Sequence, residues 1–360
     1  MRILIDASAA GSGGLARVSA SILAAWPTGD NAASDELHVV ASSRFLELAS
    51  GELGDCHTYA FEPGLFGRLR AQYLLVRSVA NSVMPDAILA TLPIVPVGPV
   101  PCPIVIISHD LRHELRPSEF GRIRRFVRAI EYRRAYRRAS RIIVISQRTA
   151  GDLTRRYPTL ASKVVVVPLG SDHLRLYGRN WSAPSGLALA YAHHPNKRPE
   201  LAIGAWAILH GTVSDLPTLC VIGASQRRAI KLQNLCESLG IPRSLVTICG
   251  PLDESAYLDA LEGSRLLVLP SSFEGFGLPV LEALRNRIPV VITPDPALVE
   301  VGGGHVTVAE DDSAEALARA VSSALVRDTD ARRDAGASWA ARFTWRSTVS
   351  AMRKILIAAT

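Results

Sequence analysis

The sequence predicts two consecutive α/β domains of Rossmann type, each a parallel sheet covered by helices on both faces. Three observations carry this expectation. At 360 residues the chain exceeds the usual size of one hydrophobic core. Short apolar runs that end in Ser, Pro or small polar residues alternate with helical patterns, the βαβ signature of strands buried on both faces. The alternation breaks off once, after Gly170, and then restarts. The domains are therefore read as residues 1–170 and 171–340, with residues 341–360 as a closing helix packed back across them.

In the first half the strands are RILIDA, ELHVVAS, DAILATL, PIVIIS, RIIVIS and KVVVVP. The uncharged stretch Ala87 to Ser108 is long enough to suggest a membrane span, but Pro93, Pro96, Pro99, Pro101 and Pro103 forbid a continuous helix. It reads as strand, loop, strand. The irregular run SDHLRLYGRNWSAPSG is a hinge. Beyond it LALAY, TLCVIG, LVTICG, RLLVLPSS and PVVITP are strands, with helices between them over Pro199 to His210 and Gln226 to Leu239. Arg332 to Ala359 is helical in pattern with no strand after it. Ligands are expected at the carboxyl ends of the strands, in a cleft between the domains.

Composition excludes several classes. Hydrophobic residues at 48% and charged residues at 20% belong to a folded chain, not a disordered one. Cys56, Cys102, Cys220, Cys236 and Cys249 have no metal-knuckle or dithiol spacing and read as buried thiols of a reducing cytoplasm. The opening MRILIDAS is too short for an export signal and is cut by Asp6, which implies a cytoplasmic protein. The net charge of +7 includes fourteen arginines between Arg112 and Arg156, but no interleaved aromatic platform accompanies them, so nucleic acid is not an expected partner.

Within that basic region Phe120 to Ser140 forms a helix whose apolar positions change face midway. Ile123, Phe126, Val127 and Ile130 share one face, and Tyr132, Ala135, Tyr136 and Ala139 the opposite one. The helix is therefore expected to bend or to have two partners. Its arginines, Arg122 to Arg138 and especially Arg134, Arg137 and Arg138, are expected to offer a basic surface to the anionic inner face of the cytoplasmic membrane.

The chemistry concentrates in Pro270 to Ala283, PSSFEGFGLPVLEA, which follows the buried run RLLVL and leads into a helix near Leu278. Pro279 suits a first helical turn. Gly275 and Gly277 let backbone amides approach a ligand, and the helix start offers N–H groups and positive potential for a diphosphate. Glu274 and Glu282 bracket the loop with seven residues between them, so both can address hydroxyls of one sugar nucleotide. Taken alone, the two glutamates read better as part of a capped, glycine-entered helix with Glu282 as an ordinary surface residue.

The whole segment resembles the Glu-x7-Glu donor-binding signature of the large family of retaining glycosyltransferases with the GT-B fold, the group 1 or family 4 glycosyltransferases. Pro270, Ser271, Glu274, Gly275, Phe276, Gly277, Leu278, Pro279 and Glu282 all fall on it. In order along the chain, GSGGLARV is similar to the family's glycine-rich first turn, SHDL to its histidine-bearing strand end and RIIVISQRTAGDL to its strand and following serine. PLGSD resembles the end of its first domain, AHHPNKRPELAI its lysine segment and RFTWRSTVSAM its closing helix.

The resemblance implies transfer of a sugar from a nucleotide-sugar donor to a glycan or lipid-linked acceptor, with retention and without a metal or other cofactor. Glu274 would contact the transferring sugar, Glu282 the ribose and Lys197 the diphosphate, with the amides of Gly277 and Leu278. His109 would sit near the sugar, and Gly13 and Gly14 would shape the floor between donor and acceptor. The family places an arginine shortly before the lysine, where this chain has Tyr191, Ala192, His193 and His194. Either His193 or Arg198 is left as the second positive group. HHPNKRPEL is similar to members that use GDP-mannose.

Two other readings compete. Gly11, Gly13 and Ala16 satisfy a relaxed dinucleotide fingerprint, but Ala7 to Ala10 make the preceding loop longer than an NAD(P) oxidoreductase wants. An epimerase or hydrolase on the same fold would share the donor site and turn over without an acceptor.

Overall fold

The structure, a computed structural model, describes residues 1–11, 13–30, 34–51, 53–173 and 186–360, so most of the expected hinge segment lies outside the described residues. The chain divides into two compact units, one of Met1–His173 with Thr344–Thr360 and the other of Leu174–Phe343.

The first unit holds β1 (Arg2–Asp6), β2 (Glu36–Ser42), β3 (His57–Phe61), β4 (Ala87–Ala90), β5 (Ile104–Ser108), β6 (Arg141–Val144) and β7 (Val164–Val166). They form one parallel sheet in the order β3-β2-β1-β4-β5-β6-β7. The second unit holds β8 (Leu187–Tyr191), β9 (Thr218–Ile222), β10 (Val246–Ile248), β11 (Ser264–Leu269), β12 (Val290–Ile292) and β13 (Thr307–Val308). Their order, β10-β9-β8-β11-β12-β13, repeats the doubly wound arrangement of the first sheet. All pairings are parallel.

The central strands β1, β4, β5 and β11 are buried along almost their whole length, which is why they read as continuous apolar runs. Two of the four edge strands, β3 and β13, were not among the expected strands. HTYAF of β3 is mostly exposed and TV of β13 is two residues long, so neither presents an apolar run. Pro93 to Pro103 form the loop between β4 and β5. Among the described residues no helix is long and apolar enough to cross a membrane.

The closing segment is two helices instead of one. Asp330–Ala340 belongs to the second unit, whereas Trp345–Ile357 packs on the first, against the helix Gly13–Ala25 and the turn Trp26–Thr28. Arg353 makes a bidentate pair with the fully buried carboxylate of Asp35 at 2.7 and 3.0 Å. Asp35 also accepts from Trp26 Nε1 and from the chain's α-amino group. At the helix start Trp345 N donates to Asp172 Oδ1 at 2.7 Å, and Thr348 Oγ1 donates to the Pro168 carbonyl. A Cβ at Gly170 would lie 2.2 Å from the Trp345 nitrogen, so the glycine of PLGSD is there to let this helix dock.

Candidate functional site

In the second unit the chain turns twice at the carboxyl ends of adjacent strands β8 and β11, where the strand order reverses direction and a doubly wound sheet opens a crevice. After β8 it passes His193 and His194 into a short turn, Pro195–Lys197. After β11 it runs through Pro270 to Gly277 and enters the helix Leu278–Arg285.

The two turns are laced together. Ser272 N donates to the Asn196 carbonyl at 2.8 Å, and Asn196 Nδ2 donates to the carbonyl of Phe273 and to Glu274 Oε1 at 2.8 and 3.2 Å. Lys197 Nζ completes the lacing with a 2.7 Å ion pair to Glu274 Oε1, both side chains being largely buried. From β12 the Thr293 hydroxyl holds the Ser271 carbonyl. Asp295 accepts from Glu274 N through one oxygen and caps the helix Pro296–Gly302 through the other.

Glu282 is 3% exposed, which removes the reading of it as a surface residue of a capped helix. The Tyr257 hydroxyl donates to Glu282 Oε2, and Tyr191 OH lies 3.1 Å from Tyr257 OH. Burial, reinforced by the Glu282 charge, pushes both phenols above their ordinary value, so both stay protonated and the relay runs from Tyr191 to Tyr257 to Glu282. The Lys197 ammonium sits 5.8 Å from the centre of the Tyr191 ring. Glu274 and Glu282 thus belong to one connected cluster.

Gly277 enters the helix at φ +100°, and a Cβ there would lie 2.7 Å from Leu298 Cδ2. No side chain caps the helix start it opens. Gly275 lies in the bend before it. Phe276 turns its ring inward, 6% exposed and edge-on to Phe343, so it can meet a ligand only through its backbone.

Of the two expected second cations, Arg198 adopts a left-handed backbone at φ 45° and gives its guanidinium to the carboxylate and carbonyl of Asp312. His193 stands edge-on to Tyr191 and to His194, and the Gly223 backbone passes beside it.

The first unit carries a different set at its corresponding switch, between β1 and β4. Asp6 closes β1 and accepts from Ser8 N at 3.0 Å. Burial pushes its carboxyl from 3.8 up to about 6, against the lowering effect of the hydrogen bonds from Ser8. Thr91, after β4, donates through N and Oγ1 to the Asp6 carbonyl. His109, after β5, has Nε2 2.9 Å from the Thr91 carbonyl. A carbonyl can only accept, so Nε2 carries the proton and Nδ1 is the acceptor. Burial holds this imidazole below its usual range, opposed by the Thr91 bond and Asp110, and keeps it neutral. Gly13 (φ +67°) and Gly14 open the helix Gly13–Ala25, and among the described residues nothing beyond the chain neighbours and the helix's own backbone lies within 4 Å of where a Cβ would stand.

The basic helix spans Arg122–Arg138, and only its second apolar set is buried: Tyr132, Ala135 and Tyr136, with Ala139 just beyond. Among the described residues the first apolar set finds no partner that buries it. Ile123, Phe126, Val127 and Ile130 stay on the surface, the first two 82% and 67% exposed. Two of the arginines expected to form a free basic surface are structural instead. Arg134 donates to the Val95 carbonyl and pairs with Glu131, and Arg138 donates to the carbonyls of Pro96 and Gly98, so they hold the proline-rich loop. Arg122, Arg124 and Arg125 remain exposed, and Arg122 and Arg124 flank the apolar stripe.

Sequence reasoning did not find Tyr191, Tyr257, Asn196 or Asp295 as members of the cluster. Asn196 and Asp295 had a local signal, a polar residue followed by a helix start in each case. Tyr257 had none, because it arrives from a separate helix.

Comparison with known proteins divides the chain the same way. Residues 13–175 match the family model for Glycosyltransferase Family 4, and residues 190–338 match the model for glycosyl transferases group 1. The chain is 25% identical over 271 residues to a serotype-specific mannosyltransferase, WbdA, of Escherichia coli, covering 71% of this chain and 33% of that protein. It is 27% identical over 202 residues to a GDP-mannose-dependent alpha-(1-6)-phosphatidylinositol dimannoside mannosyltransferase of Mycobacterium tuberculosis, covering 53% of this chain and 51% of that one. The chain thus spans about a third of the length of the first relative and about half of the second. Among solved structures, Anabaena Alr3699/HepE in complex with UDP and glucose superposes with a TM-score of 0.74 at 17% identity, covering 99% of this chain and 100% of that one. WaaG, a glycosyltransferase involved in lipopolysaccharide biosynthesis, gives 0.68 at 19% identity over all of both chains. These two likenesses bear on the fold.

Proposed function

The chain belongs to the group 1, family 4 glycosyltransferases, whose two models match its two halves, and from that premise we propose that it moves a hexosyl group from a nucleotide-diphosphate sugar to a glycan or lipid-linked acceptor in the synthesis of an envelope polysaccharide or glycoconjugate. The observation that carries the reading is the Lys197–Glu274 pair set beside the uncapped start of the helix Leu278–Arg285. As the glycosidic bond breaks, the leaving diphosphate gains negative charge, and the need is positive potential already in place. Lys197 and the amides of Gly277 and Leu278 meet that need without a metal. Glu274 holds the ammonium in position and offers its carboxylate to the hydroxyls of a sugar that turns positive. The relay from Tyr191 through Tyr257 orients Glu282 toward the ribose.

A neutral His109 presents Nδ1 as an acceptor for a sugar hydroxyl, and Gly13 and Gly14 leave space for an approaching acceptor. Retention by same-face attack within a tight ion pair is part of this proposal, as is mannose from GDP-mannose as donor, which the mannosyltransferase relatives favour. The test is a panel of nucleotide sugars offered with and without acceptor glycolipids, in the presence of a chelator. Transfer from GDP-mannose that needs an acceptor, survives the chelator and keeps the donor's anomeric configuration is expected. Turnover that needs no acceptor would replace this reading with a hydrolase or epimerase.

We also infer peripheral contact with the inner face of the cytoplasmic membrane through the first half of the helix Arg122–Arg138. An exposed apolar stripe with arginines on both flanks is what an interfacial helix presents to anionic lipid. Co-sedimentation with anionic vesicles is expected to fall with salt and to be lost in an Ile123→Glu, Phe126→Glu variant. Binding that ignores lipid charge would remove the inference.

A further inference from the structure

Strands β2 and β3 are the outermost pair of the first sheet, and at their amino ends three ligand-type side chains gather. Alternation places Glu36 and His38 on the same face of β2. The parallel register sets His57 of β3 directly beside His38, and the two rings stack with centroids 4.8 Å apart and planes 17° from parallel. Both imidazoles turn Nε2 toward one oxygen: His38 Nε2 is 3.0 Å and His57 Nε2 3.9 Å from Glu36 Oε1. One ligand atom from each of the three residues lies within 4.8 Å of the others.

The surroundings fix this geometry. His38 is buried, and its Nδ1 lies 3.1 Å from the Tyr59 hydroxyl, which sets the ring's orientation and leaves Nε2 facing the carboxylate. Metal-bound histidines use their second nitrogen in this way. Arg2 Nε holds the other carboxylate oxygen, Oε2, at 2.9 Å, so Glu36 is oriented without Oε1 being taken by the guanidinium. His57 and Glu36 are open to solvent, which gives an ion a way in.

We propose that Glu36, His38 and His57 form a binding site for a divalent transition metal of the zinc class. Two imidazoles and one carboxylate are a donor set that zinc takes, with the fourth position left to water. The site lies at the opposite end of the strands from Asp6 and His109, so its effect falls on stability. Among the described residues strand β3 has β2 as its sole sheet neighbour, and a shared ion would tie this edge strand to the sheet.

The test uses the full chain, freed of metal with a chelator and then titrated with cobalt(II) or zinc. One equivalent is expected to bind, cobalt giving visible d–d bands with no thiolate charge-transfer band in the near ultraviolet, and zinc raising Tm to a plateau. His57→Ala removes an exposed ligand, so it should leave metal-free stability unchanged while weakening metal binding at least 10-fold. The proposal is overturned if wild type takes up no ion or if His57→Ala binds as tightly. It is equally overturned if a thiolate band assigns the ion to Cys220 and Cys249, whose sulfurs lie 4.0 Å apart.

Discussion

The two units have the same strand order up to their sixth strand, yet their switch points carry opposite electrostatics. In the second unit Lys197, Glu274, Asp295 and Glu282 crowd around the ends of β8 and β11, each with a charge-assisted partner. In the first unit the matching place holds Asp6, with a raised pKa, and His109, with a lowered one, so both tend toward their neutral forms. Under the proposed function one fold would serve two tasks: the charged, tightly laced site would take a diphosphate, and the quieter one hydroxyls. What decides is the handful of residues after each strand, because the sheets themselves are alike.

The largest effect is expected on the charged side. Glu274→Gln is expected to lower turnover at least 100-fold, about 3 kcal/mol, the size of a lost transition-state contact. Affinity for the nucleoside diphosphate should hold or rise, since Lys197 is released. Stopped kinetics beside calorimetry would check this, and a parallel fall in both would end the assignment. Next, Lys197→Ala should weaken nucleoside diphosphate binding by about 1.5–3 kcal/mol, because it removes a cation and leaves Glu274 facing the phosphates. Adding Glu274→Gln to it should restore part of the loss; strictly additive binding energies would show that the pair does not act as a unit.

On the quiet side the expected effects are on stability. The Asp6 carboxyl is raised from 3.8 to about 6, so its contribution is fully present below about pH 4 and is lost as pH rises through about 6. Asp6→Asn should therefore match wild type near pH 4 and exceed it at pH 7.5 by about 2–3 kcal/mol at most, at about 1.4 kcal/mol per unit. Urea unfolding at the two pH values is the measurement, and equal gains at both would break the assignment. The smallest effect should be Glu282→Gln, a few-fold rise in the donor KM with kcat nearly kept, read from initial rates.

Most of this architecture was legible in the sequence because doubly buried strands write themselves as apolar runs. The edge strands β3 and β13 were not legible, since half-exposed or two-residue strands leave no run. In the site, the loop from Pro270 and the lysine turn were legible as motifs. Their internal partners, Asn196 and Asp295, had weak local signals, and Tyr257 had none. The helix Arg122–Arg138 misled for a physical reason: an apolar stripe states that a surface is greasy, not that anything covers it. Arg134 and Arg138 looked solvated because no periodicity marks an arginine that spends its donors on loop carbonyls.

The helix Trp345–Ile357 completes the first unit, yet it is separated from the rest of that unit by the whole of the second. On the ribosome, therefore, the first unit must wait. Asp35 is made early, but its partner Arg353 emerges only after some three hundred further residues have been synthesised. Until then the groove that receives the helix lies open in the nascent chain, and a ribosome that stops short of the last turns releases a first unit with its core unsealed.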